Sequence, residues 1–316
     1  MKSLVSIIGP TATGKTKLAL LLAEKFSQNF ACIDVISADS RQVYKGMEIG
    51  TGVDMPPDFK REVGENFFQK GNERMHGVSF LRPDEEWSVT HFQKFAREVI
   101  ENSWAQNGLP MLVGGTGLYH RHLFNDDPQL EIKPNEEVRK KAVTMSIAEL
   151  QNWLQKVDAT KWELMNNSDR QNPRRLVRAI EVALSEKPRD EQKSQPPFTH
   201  IEIGLTDSIE HISEKIRQRV EERLQNGVLA EVEKLIADYP PEVWKGPAFS
   251  ATGYKEIRQF LEGTLSREEM IELWTRREIQ YAKRQLTWWK KDFKGQWFDV
   301  AEKDWMNTVY SMCTKI

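Results

Sequence analysis

The chain has 316 residues, 39% hydrophobic and 29% charged, with 18 glycines and 14 prolines, which excludes a disordered, collagen-like or coiled-coil protein. Its length suits about two domains, or one domain with a large insertion. Lys plus Arg at 45 against Asp plus Glu at 47 gives a net charge of −2, so any contact with nucleic acid has to come from local basic surface.

Leu4–Ile8 reads as a first buried strand; it stops at Gly9-Pro10, too short for the apolar core of a signal peptide. From Lys15 the apolar residues Leu18, Leu21, Leu22 and Phe26 follow helical spacing, and Ile33–Ser37 is a second short strand. Val89–Trp104 puts Val89, Phe92, Phe95, Ala96, Val99 and Ile100 on one helical face, and Met111–Val113 is a third strand. Strands alternating with helices predict a parallel sheet with helices on its faces.

From about 125 to 197 no strand-like run occurs. Leu150, Trp153, Leu154 and Val157 keep helical spacing, and Pro128, Pro134, Pro173, Pro188, Pro196 and Pro197 punctuate the stretch, which predicts a helical insertion with a proline-marked exit. His200–Leu205 then reads as a fourth strand, and helices are predicted over 208–226, 229–239, 254–262 and 266–293. The expected organisation is a core in two parts, 1–124 and 198–316, interrupted by an all-helical domain at 125–197. No apolar run approaches the 18 residues of a membrane span, and Cys32 and Cys313 are too few for a disulfide framework or a thiolate zinc site, so a cytoplasmic protein is expected.

Gly9-Pro10-Thr11-Ala12-Thr13-Gly14-Lys15-Thr16 matches the phosphate-loop pattern G-x-x-x-x-G-K-[ST], with a strand before it and a helix after it. Backbone amides of such a loop surround an anion, the helix start adds partial positive charge, Lys15 adds a full one, and the Thr16 hydroxyl suits Mg²⁺ held against phosphate oxygens. The expected fold class is therefore α/β, a parallel sheet core of the P-loop NTPase kind flanked by helices. Asp39 ends the second strand, where it can serve a metal or act as a base; Gly114-Gly115-Thr116-Gly117 ends the third and would project the Thr116 hydroxyl toward the same sheet edge.

GPTATGKT at 9–16, ISADSRQVYKGMEIGT at 36–51, VGGTGLY at 113–119, RRLVRAIEV at 174–182, RQRVEERLQNGVLAEV at 217–232, GYKEI at 253–257 and YAKRQLTWWKK at 281–291 together resemble the tRNA dimethylallyltransferases. The matches run in order over nearly the whole chain. The resemblance implies transfer of an isopentenyl group from dimethylallyl diphosphate to the exocyclic amine of the adenosine 3′ of the anticodon. The phosphate loop, through the amides of Thr11, Ala12, Thr13, Gly14, Lys15 and Thr16, would hold the donor's diphosphate with Mg²⁺ on Thr16. By the same resemblance Arg219 stabilises the departing diphosphate, Thr116 contacts the bridging oxygen, and Asp39 accepts the proton of the adenine amine.

The base must leave its stack, and Ser40, Gln42 and Tyr44 are the expected pocket. Arg174 and Arg178 in the insertion, and Lys283 and Arg284 among the basic and aromatic residues of 276–294, are expected to grip the anticodon stem-loop, with the protein acting as a monomer. Four places depart from the family pattern: Met75-His76-Gly77 carries one histidine of a usual pair, Val53-Asp54-Met55-Pro56 replaces an Ala-Lys-Pro run, Gln171-Asn172 replaces Asn-Asp, and Ile279 stands where arginine is expected. An isopentenyltransferase using free AMP, ADP or ATP would need no RNA grip. A small-molecule P-loop kinase would leave the segments around Asp39, Thr116 and 281–291 unexplained, and a non-catalytic RNA-binding protein would have little use for the phosphate loop.

Overall fold

The computed structural model describes residues 2–125, 127–185, 198–314 and 316. The chain divides into two compact units, Met1–Leu123 with Pro196–Ile316, and Phe124–Gln195. The expected exit at Pro188, Pro196 and Pro197, and with it the 197/198 boundary, lies outside the described residues.

The first unit is built on a seven-stranded sheet of β1 (Ser3–Ile8), β2 (Ile33–Ser37), β3 (Phe67–Lys70), β4 (Glu73–His76), β5 (Leu109–Gly114), β6 (Thr199–Thr206) and β7 (Gln296–Asp299). The spatial order is β3-β4-β2-β5-β1-β6-β7, parallel throughout except for the β3–β4 hairpin. Every residue of β1, β2 and β5 is buried, as expected for parallel strands covered on both faces. The four strands read from sequence are the central ones.

β3, β4 and β7 escape sequence reading. β4 is Glu-Arg-Met-His, three ionisable residues in four, which argues against a strand buried beside the sheet centre. It is accommodated because Asp34, its register partner on β2, takes Arg74 Nε and Nη2 at 2.7 and 2.8 Å and lies 2.7 Å from His76 Nε2. Burial works to raise the Asp34 carboxyl, but His76 and Arg74 outweigh it and hold the group at about 2. β7 is a four-residue edge strand too short to show a period.

Helices of this unit are α1 (Lys15–Phe26), α2 (Glu48–Thr51), α3 (Val89–Ala105) and α4 (Gly117–Phe124). The second unit contributes α5 (Glu136–Val143), α6 (Ile147–Val157), α7 (Ala159–Leu164), α8 (Asn167–Arg170) and α9 (Pro173–Leu184). The first unit resumes with α10 (Ile209–Gln225), α11 (Val228–Asp238), α12 (Tyr254–Leu261), α13 (Arg267–Asp292) and α14 (Trp305–Cys313). Their ends follow local chemistry: Ser88, Ser146 and Ser266 cap α3, α6 and α13 with full capping boxes, and Pro173 opens α9 behind its Asn172 cap.

One apolar core of the first unit lies against the sheet, around Val5, Ile7, Leu22, Ile33 and Met111. Another joins the loop after β2 to the helices α10 to α13, through Tyr44, Met47, Val220, Tyr254 and Trp274. The second unit packs its own core from Val138, Leu150, Leu154, Leu176 and Ile180, and its described residues hold no strand. Among the described residues no helix is long and apolar enough to cross a membrane.

Candidate active site

The carboxyl ends of β1, β2 and β5 open onto a cleft of about 730 Å³ in the first unit. Thr11, Ala12, Gly14, Lys15 and Thr16 line it from the loop after β1, Asp39, Ser40 and Gln42 from the loop after β2, and Gly115 with Thr116 from the turn after β5. Arg219 and Arg223 reach it from α10, and Tyr281, Arg284 and Gln285 from α13. This is the crevice where parallel α/β sheets bind ligands.

Lys15 Nζ donates to the Pro10 carbonyl at 2.6 Å. Burial lowers its pKa to about 8, against an upward pull from Asp39 and a further downward push from Arg219. The loop thus stores a poorly solvated cation whose charge an entering anion would complete. Arg219 Nη1 donates to Thr11 Oγ1 at 3.1 Å, and burial together with Arg223 lowers its pKa too. Its Nη2 lies 3.7 Å from Asp54 Oδ2, so the departure at 53–56 places a carboxylate beside this arginine.

The Thr13 side chain is buried and donates to the Pro10 carbonyl at 2.9 Å, bracing the loop. One loop expectation needs correction. The Thr11 amide, expected to face the anion, instead donates to Gln285 Oε1 at 2.9 Å.

Asp39 Oδ1 accepts the Arg41 amide at 2.8 Å, a local turn that fixes its carboxylate at the cleft wall. The Gln42 amide is used at both ends: Oε1 accepts from Ser37 Oγ at 2.8 Å and Nε2 donates to the Gly52 carbonyl at 2.9 Å. The Thr116 hydroxyl is buried and, among the described residues, makes no hydrogen bond of normal geometry, although the Tyr281 phenol stands beside it. Burial and the Asp39 charge push that phenol up to about 12, so it stays protonated.

Tyr44 is not part of the pocket. Its ring is fully buried in the core with Met47 and Tyr254, and its hydroxyl has no partner among the described residues. Tyr44→Phe is therefore expected to leave turnover unchanged and to raise stability by about 1 kcal/mol, since an unsatisfied buried hydroxyl is removed; thermal melting with a rate assay checks both.

The basic residues divide. Lys283 is exposed, and Arg284 lines the cleft with its guanidinium 5.8 Å from the Tyr281 ring centre. Arg277 is paired with Glu256 and Arg121 with Asp292. In the second unit Arg174 is exposed, whereas Arg178 donates to the Gln129 carbonyl at 2.6 Å and pairs with buried Glu181, and Arg170 donates to the Trp162 carbonyl at 2.9 Å. The stripe of arginines at 170, 174 and 178 thus leaves Arg174 outward while its neighbours hold their own fold. Ile279 packs against the buried cluster of Ile212, Ile216 and Ala282, an apolar seat for the side chain that stands where arginine was expected. His76 is buried against Asp34, and the next position, Gly77, has φ of 77° with the Ser37 carbonyl 3.0 Å from any added Cβ, so a second histidine would be strained.

Residues that sequence reading missed are Arg223, Glu278, Tyr281 and Gln285. Arg223 and Glu278 form a buried ion pair, and Glu278 Oε1 also accepts from Trp274 Nε1 at 3.0 Å and Thr252 Oγ1 at 3.2 Å. The signal was present: the buried face of α13 reads Met270, Trp274, Glu278, Ala282, Gln285, Trp289, with two polar residues on an otherwise apolar helical stripe.

The model of one family, described as IPP transferase, matches residues 42–292. A tRNA dimethylallyltransferase of Acetivibrio thermocellus is 34% identical, with 99% of this chain and 98% of the relative covered, and one of Shouchella clausii is 35% identical with 95% and 92% covered. Among solved structures, the full-length tRNA isopentenylpyrophosphate transferase of Bacillus halodurans superposes with a TM-score of 0.67 at 30% identity, covering 100% of this chain and 96% of that one. A eukaryotic dimethylallyltransferase acting on tRNA gives a TM-score of 0.76 at 25% identity, covering 99% of this chain and 78% of the other.

Proposed function

The chain belongs to the IPP transferase family, and from that premise we propose that it transfers the dimethylallyl group of dimethylallyl diphosphate to N6 of the adenosine 3′ of the tRNA anticodon. The observation that carries this reading is the meeting of Lys15, Asp39, Thr116 and Arg219 on the wall of one cleft. Each answers a demand of the reaction. The allylic C1–O bond breaks and sheds a diphosphate, whose growing charge Lys15, Arg219 and the loop amides are placed to receive. The Thr116 hydroxyl, buried beside the Tyr281 phenol, donates to the bridging oxygen. N6 forms the new bond to C1, and its proton passes to Asp39.

Thr16 offers a hard oxygen donor beside those of the diphosphate itself, and no cluster of three His, Cys, Asp or Glu among the described residues makes a protein-only cage. That set fits Mg²⁺ carried on the diphosphate, with Thr16 as a protein ligand. When bound, the ion would neutralise charge on the leaving group. Arg174 of the helical unit and Lys283 and Arg284 of α13 are the groups we assign to the anticodon stem-loop, with Arg178 acting only through its support of α9. The protein works as a cytoplasmic monomer.

The direct test is mass spectrometry of tRNA nucleosides after incubation with donor and Mg²⁺. N6-isopentenyladenosine at the anticodon-adjacent position is expected; transfer to free AMP at a similar rate, or no transfer, overturns the reading. A pH signature should accompany it. With Lys15 near 8 before the anion arrives, its charge is lost as pH rises through that value, so donor affinity should fall above pH 8 and binding there should take up protons. Calorimetry in buffers of different ionisation enthalpy measures the uptake, and a pH-independent affinity from 7 to 9.5 would contradict it.

A further inference from the structure

We propose that Gln285 is a positioning residue that holds the phosphate loop in its anion-receiving shape and ties it to the turn bearing Thr116; the inference rests on the diphosphate reading above. Gln285 lies on the buried face of α13 and is only 6% exposed, yet it lines the cleft. Its Oε1 takes the Thr11 amide at 2.9 Å. Its Nε2 occupies the space beside Gly115, where an added Cβ would stand 2.1 Å from that nitrogen. One side chain therefore bridges the loop after β1 and the turn after β5, and the absence of a side chain at 115 is what seats it.

The loop needs such a brace. Ala12, directly after Thr11, has φ of 66°, a left-handed conformation that is costly for a non-glycine residue and persists only where its surroundings over-determine it. Two groups pin Thr11: Gln285 on its amide and Arg219 on its hydroxyl. Arg219 faces the anion, so its grip on Thr11 changes when diphosphate binds, whereas the Gln285 bond is made to the backbone. Tyr281, one turn earlier on the same helix, stands beside Thr116. α13 therefore sets both edges of the leaving-group site, while Lys283 projects from its outer surface.

The test compares Gln285→Met, which keeps length and volume but removes the acceptor, with Gln285→Ala and with Gly115→Ala in the wild-type and Gln285→Ala backgrounds. The probes are inorganic pyrophosphate affinity, kcat and separate KM values for donor and tRNA, with melting temperature as a control. Losing one buried hydrogen bond predicts a weakening of pyrophosphate binding and a rise in donor KM of about 5-fold in Gln285→Met. The tRNA KM and the melting temperature should stay near wild type. Gly115→Ala should weaken pyrophosphate binding in the wild type and add little to Gln285→Ala, because the group it displaces is gone. Wild-type affinity in Gln285→Met, equal losses in donor and tRNA KM, or additive Gly115 and Gln285 effects would each overturn the assignment. Failure of the wild-type protein to prenylate tRNA would instead sink the reading beneath it, and pyrophosphate binding separates the two.

Discussion

Asp39→Ala is expected to cut turnover by at least ~10²-fold, the lower range for removal of a positioned acid or base, while donor affinity changes little. The adenine amine is a weak nucleophile because its lone pair is delocalised into the ring. Attack on C1 therefore depends on an acceptor that takes the N6 proton as the bond forms. Asp39 lines the cleft with Ser40 and Gln42, its backbone turn fixed by the Arg41 amide. In the proposed reaction the diphosphate is held by Lys15, Arg219 and the loop amides, so the loss should appear in kcat with little change in donor Kd. Asp39→Asn keeps the hydrogen bond and removes the base, and should fail nearly as badly. Single-turnover rates with donor and tRNA at saturation measure it, and unchanged turnover in either variant removes Asp39 from this role.

Lys15→Ala is expected to weaken both dimethylallyl diphosphate and pyrophosphate by about 10²-fold or more, the scale on which loss of one preorganised donor costs an oxyanion site. The same substitution should leave melting temperature level or raise it. The ammonium is desolvated enough for burial to lower its pKa to about 8, with the Pro10 carbonyl as its hydrogen-bond partner. Removing it relieves a cost that folding carries for the sake of binding. Calorimetric titration with pyrophosphate, alongside thermal melting, checks the pair of effects. Wild-type affinity, or a large drop in melting temperature, would show the lysine to be structural.

Parts of this site were legible because local chemistry and sheet topology coincide. Gly9 to Thr16 needs its residue types at that spacing, and Asp39 and Thr116 each follow an apolar strand whose carboxyl end marks the ligand-binding edge. Arg219 was legible only through family resemblance: in Arg217-Gln218-Arg219-Val220 nothing local separates the arginine that turns inward from the one that faces water. Burial decides that, and burial is set by α10 packing against α13.

The same limit explains the misplacements. Tyr44 sits five residues after Asp39, and sequence distance cannot tell a pocket aromatic from a core one; Tyr254 and Met47 decide for the core. Gln285 and Tyr281 lay inside a recognised segment but were overshadowed by its charges, although the polar interruption of a buried helical stripe announced Gln285 and Glu278. β4 stayed hidden because its Arg74 and His76 are satisfied by Asp34, a partner 40 residues or more away in sequence.

In the proposed reaction the glycine-flanked loop cradles a prenyl diphosphate and Asp39 faces the incoming base. A crystal structure with a non-cleavable dimethylallyl diphosphate analogue tests it most directly. The terminal phosphate is expected at Lys15 and Arg219, the bridging atom at the Thr116 hydroxyl, and an open space between C1 and Asp39. An analogue bound away from residues 11–16, or one whose tail points from Asp39 and Thr116, would contradict it.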